Sequence, residues 1–129
     1  MMKLAISALA LLHVAAATGA YAQPAGRSGP SIPPQFHGRW AENQRACKAE
    51  HFTTVITIDR RGWSSFEEGG EVTRVGQVRR GTHYFRLNNR AGANETTGSL
   101  AMRREGAGIV MSFDDDNDRP VHYRLVRCR

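Results

Sequence analysis

The chain has 129 residues, 18 cationic and 12 acidic side chains, and a formal net charge of +6. That length is the size of one domain. With 40% hydrophobic and 23% charged residues, it is neither a disordered tail nor a bundle of membrane helices.

Residues 1–22 read as a signal peptide. Lys3 supplies a positive start, and Leu4 to Ala17 is apolar apart from Ser7 and His13. Ala20-Tyr21-Ala22 is a small-x-small cleavage site before Gln23. The run is shorter than the roughly 18 apolar residues of a membrane-spanning helix. No cysteine sits at the cleavage site to carry a lipid anchor. The expected product is periplasmic or secreted, monomeric and without a membrane span. Export argues against nucleic acid as a partner. Removing the leader takes away Lys3 alone among the charged residues, so the domain stays basic, with arginine supplying every cation except Lys48. Arginine grips planar anions bidentately, which makes an anionic small molecule or an envelope component a candidate partner.

Residues 23–35 hold Pro24, Pro30, Pro33 and Pro34 among glycines and serines. Such a stretch buries too little apolar area to offset its ordering entropy, so a flexible arm is expected before a domain over 36–129. From Phe36 the pattern is β. Turn signals recur at Arg60 to Gly62, Gly69-Gly70, Arg80-Gly81, Asn88 to Gly92, Gly106 to Gly108 and Asp114 to Asp118. Between them, period-two runs put Ile56 with Ile58, Leu100 with Met102, Ile109 with Met111 and Phe113, and Val121 with Tyr123 and Leu125 on shared faces. The spacing predicts eight strands near 36–41, 53–59, 63–68, 71–79, 82–88, 95–104, 108–113 and 120–127. One short helix is expected over Glu42 to Glu50. Eight antiparallel strands shed exposed edges by closing into an up-and-down, lipocalin-like barrel. Its interior holds its own side chains or one small ligand.

Two cysteines in an exported chain predict one disulfide, Cys47 to Cys128. Strand parity then sets a charge layout. The turns after even strands carry Arg60, Arg61, Arg79, Arg80, Arg103 and Arg104, so one barrel end is expected to be basic. The turns after odd strands carry Glu67, Glu68, Glu71, Asp114, Asp115, Asp116 and Asp118, with Glu95, so the other is expected to be acidic. Parity also demands that residues 47–52 run the length of the wall, so that Cys47 reaches the end where Cys128 lies.

No catalytic set is legible. Asp114 to Asp118 begins like a calcium loop, but the sixth position holds Arg119 instead of Gly and the twelfth Leu125 instead of Glu. His37, His51, His83 and His122 lack zinc-site spacing, although His83 and His122 lie in separate strands able to meet across a barrel. Ser64, Ser65, Ser99 and Ser112 lack a nucleophile elbow. The expectation is a non-enzymatic binder with no metal and no cofactor.

Phe36-x-Gly38-x-Trp40 followed by Cys47, the pair Phe66-Glu67, and a closing Tyr123 and Cys128 resemble a group of small secreted bacterial β-barrel domains. The Gly-x-Trp…Cys start is also similar to periplasmic metalloprotease inhibitors of the eight-stranded barrel type, although their second cysteine follows soon after the first. The first resemblance implies only a small exported barrel; with no catalytic set legible, the leading expectation is an exported binding module of the bacterial envelope, with a small or anionic ligand at a barrel mouth or surface. The second implies an inhibitor of a secreted hydrolase, of protease or lysozyme type, acting through the N-terminal arm and loops.

Overall fold

The computed structural model describes residues 29–48, 55–115 and 120–129, with the backbone alone for Asp115. The expected leader and residues 23–28 lie outside the described residues, as do Asp116 and Asp118. Eight antiparallel strands follow one another around a closed barrel. They are β1 (Gly38–Ala41), β2 (Ile56–Ile58), β3 (Gly62–Ser64), β4 (Glu68–Val75), β5 (His83–Ala91), β6 (Asn94–Glu105), β7 (Gly108–Asp115) and β8 (Val121–Arg127). The eight-stranded up-and-down barrel expected from the period-two runs is the fold observed.

The alternating residues do what a pleated strand requires. Ile56, Ile58, Leu100, Met102, Ile109, Met111 and Leu125 all point inward and are buried. Phe36, Trp40, Val72, Phe85 and Leu87 join them in one core. Removing such side chains from water is the main driving force for closure. Tight hairpins follow from turn chemistry. At the β4–β5 tip, Arg79 and Thr82 exchange both backbone hydrogen bonds. Arg80 (φ 49°) and Gly81 (φ 76°) between them are left-handed, the two-residue turn whose twist matches paired strands.

Four expectations need correction. Gly69-Gly70 is not a turn but lies inside β4, and the β3–β4 turn falls at Ser65 to Glu67. The glycines serve close approach instead: a Cβ on Gly62 would lie 1.8 Å from the Gly70 carbonyl oxygen. Asn88 to Ala91 likewise continue β5, and the turn is Gly92-Ala93. The helix expected from Glu42 shrinks to a 3-10 turn, Ala46–Lys48, since the piece has too few apolar residues to pack a longer one. Finally, the barrel domain takes in residues before Phe36. Ile32 is 1% exposed and in the core, its N–H donates to Arg60 O, and a second 3-10 helix spans Pro34–Phe36. The proline-rich composition hid one isoleucine that anchors 29–35 to the barrel.

The disulfide Cys47–Cys128 is present, with Cα atoms 5.5 Å apart. The demand on residues 47–52 lapses because β1 and β2 are stubs. Gln44 Nε2 donates to Arg127 O, so the chain has doubled back before Cys47. Cys128 N donates to Arg39 O, and β2 starts at Ile56 opposite Trp40. Cys47 and the start of β2 thus both lie close to one level of the barrel. Residues 49–54 themselves lie outside the described residues.

Candidate functional site: a hollow end opposite a plugged one

The topology gives the barrel two unlike ends. At one end lie the β2–β3, β4–β5 and β6–β7 turns, the entry to β1 and the exit of β8. Trp40 is fully buried here, and its Nε1 donates to Phe36 O at 2.8 Å. Arg127, opposite Trp40 on β8, lays its guanidinium 4.4 Å from the ring centroid and donates to His37 O. Arg104 covers the ring at 5.6 Å and donates to Gln35 O. The segment 32–37 therefore forms a plug, held by two arginines whose strand positions point them inward. His83 belongs to it, edge-on to Phe36 with centroids 5.0 Å apart and bonded to Gln35. His122 instead bonds Ser112 Oγ at 2.6 Å, across the neighbouring strands β7 and β8. The two histidines do not share a site.

The expected charge layout is mixed at close range. Arg60, Arg61, Arg79, Arg80, Arg103 and Arg104 do belong to the turns and strand ends of the plugged end. Glu105 lies there too, paired with Arg103 at 2.9 Å and also with Arg124. Glu71, expected with the acids, sits level with Gly62 and pairs with Arg61 at 2.8 Å. That hydrogen bond and the carboxylate charge raise the Arg61 pKa above an ordinary arginine's. Glu67 and Glu68 lie at the opposite end by the β3–β4 turn, and Asp114 is in β7 opposite Ser99. Arg90 joins this end and pairs with Glu95 at 2.9 Å. Parity fixes the end of a turn but not the height of a residue along a tilted wall, so neither mouth carries one sign.

The second end is hollow. A cavity of about 230 Å³ opens there, walled by Trp63, Phe113 and Tyr123 over Ile56 and Leu125. Phe113 contacts both other rings, at 4.9 Å and 59° to Trp63 and at 6.0 Å and 76° to Tyr123. Among the described residues, two buried side-chain polar atoms lack a hydrogen-bond partner, Trp63 Nε1 and Asn89 Oδ1, and both residues line this cavity. Each such orphan costs about 1–3 kcal/mol. They meet over Gly70, where a Cβ would lie 2.4 Å from Trp63 Nε1 and 2.5 Å from Asn89 Oδ1. Glu42 and Glu68 complete the wall.

A larger groove of about 710 Å³ includes the outer face of β3, β4 and β5. It is shallow, and both of its arginines are matched by Glu71 and Glu95. Trp63, Glu68 and Asn89 border both spaces, and the smaller cavity adds the Phe113 and Tyr123 rings. Asn89 hid in what reads as a turn, Asn88 to Gly92. The usable signal was Gly70: a glycine within a strand marks close approach by a neighbour.

Compared with models of known protein families, with curated proteins and with solved structures, the chain matches none. Among the described residues no helix is long and apolar enough to cross a membrane.

Proposed function

We propose that this chain is an exported binding module of the bacterial envelope that holds a small ligand in the hollow end of its barrel. One observation carries the reading: two residues that line an aromatic cavity, Trp63 and Asn89, each bury a polar atom without a partner, a donor at Nε1 and an acceptor at Oδ1. A ligand with one hydrogen-bond donor and one acceptor satisfies both. The cavity is smaller than the roughly 300–1,000 Å³ of drug-sized sites, so the ligand is small. Glu42 and Glu68 on the wall favour an uncharged or cationic molecule over the anion that arginine content suggests. The signal-peptide pattern, the disulfide and the resemblance of Phe36-x-Gly38-x-Trp40…Cys47 to secreted barrels support the exported setting. The inhibitor reading loses residues 29–35 as a free arm, because Ile32 is committed to the core.

The two tryptophans provide the test. In nitrogen-15 spectra of the mature chain, a ligand in the cavity shifts the Trp63 indole signal. The Trp40 indole, already bonded to Phe36 O, stays in place as an internal control. A panel of small polar aromatics and amines that leaves Trp63 unmoved at millimolar concentration overturns the reading.

A further inference from the structure

We infer that the ligand of this cavity is an organic ammonium ion carrying a nearby oxygen. The inference rests on the cavity being the ligand site, and it names the chemistry that site selects. The walls are the first reason. Trp63, Phe113 and Tyr123 are set steeply to one another, at 59° and 76°, so the cavity is bounded by aromatic surface in more than one plane. Aromatic faces carry the negative part of the ring quadrupole and attract desolvated cations, quaternary ammonium groups above all.

Charge is the second reason. The chain holds 16 Arg, yet the described lining contains neither Arg nor Lys and does contain Glu42 and Glu68. Among the described residues of the lining, an anion would meet two carboxylates and ring faces with no cation to receive it. An ammonium ion finds the same surroundings favourable. The orphaned atoms supply the third reason. Asn89 Oδ1 accepts a hydrogen bond from an ammonium N–H or a hydroxyl, and Trp63 Nε1 donates one to an oxygen. A short amino alcohol meets both.

Choline and its uncharged isostere 3,3-dimethylbutan-1-ol separate charge from shape. Titrated into the mature chain and read at the Trp63 indole, choline is expected to bind at least about tenfold more tightly, the scale of a desolvated cation–π contact. Glu68→Gln should weaken choline about threefold or more and leave the isostere unchanged. Phe113→Leu, which keeps apolar bulk but removes a ring, should lower the choline preference without that loss of charge. Equal affinity for the two probes overturns the ammonium assignment and leaves the cavity as the site. So does a Trp63 response to phenol but not to choline. No response to choline, the isostere or phenol overturns both.

Discussion

The guanidinium of Arg127 lies 4.4 Å from the centre of the Trp40 ring and donates from Nη1 to the carbonyl of His37. One side chain from the last strand thus holds both the plug and the tryptophan beneath it. Stacking of this kind is worth about 0.5–1 kcal/mol, and a charged hydrogen bond about 1.5–3. Arg127→Ala is expected to cost about 2 kcal/mol, read as a lower urea midpoint at unchanged slope. Arg127→Lys keeps the charge but loses the planar fork, and should recover less than half. Arg104→Ala, with its longer stacking distance and a 3.4 Å bond, should cost under about 1 kcal/mol.

Ile32→Ala tests whether the plug belongs to the core. A buried isoleucine cut to alanine costs about 2–4 kcal/mol, whereas the same change in a mobile arm costs nothing. Equilibrium denaturation of the protein distinguishes the two outcomes.

Gly62 and Gly70 should differ in kind. A Cβ on Gly62 meets backbone, 1.8 Å from Gly70 O, which moves only if the strands part. Gly62→Ala is expected to cost about 3 kcal/mol. At Gly70 the Cβ meets the tips of Trp63 and Asn89, which can swing aside. Gly70→Ala should cost about 1 kcal/mol and abolish ligand response at the Trp63 indole.

Arg80 occupies a left-handed position at φ 49°, where a side chain with a Cβ is strained by about 1–2 kcal/mol and asparagine is tolerated best. Arg80→Asn should raise stability by about 0.5–1 kcal/mol. A loss of stability would mean that the Arg80 side chain makes an interaction worth more than the strain.

The disulfide spans a sequence separation of 81. Chain entropy sets an upper stabilisation of about 4.5 kcal/mol for such a loop, with about 2–4 typical. Cys47→Ser together with Cys128→Ser should lower the unfolding free energy by that range. Reducing the native protein should have the same effect.

The barrel was legible because its wall obeys a period of two: Ile109, Met111 and Phe113, or Val121, Tyr123 and Leu125, can face one interior only if they form strands. Trp40 was legible as part of the opening motif, Phe36-x-Gly38-x-Trp40. Arg104 and Arg127 were not, because arginine reads as solvent-facing, and only strand register shows them pointing in at the barrel's end. Glu71 was misplaced for a related reason: pairing with Gly62, not sequence order, sets its height. The cavity was least legible. Trp63, Gly70 and Asn89 come from three strands, and their meeting depends on two registers that no local pattern encodes.

The plug also constrains when the molecule can become itself. Arg127 reaches back 90 positions to His37, and β1 closes on Val126 and Arg127 alone in β8. Until the last few residues have emerged, Trp40 has no partner strand on that side and the cylinder stays an open, incomplete sheet. Closure therefore waits for Val126 and Arg127, and non-local closure of this kind is slow.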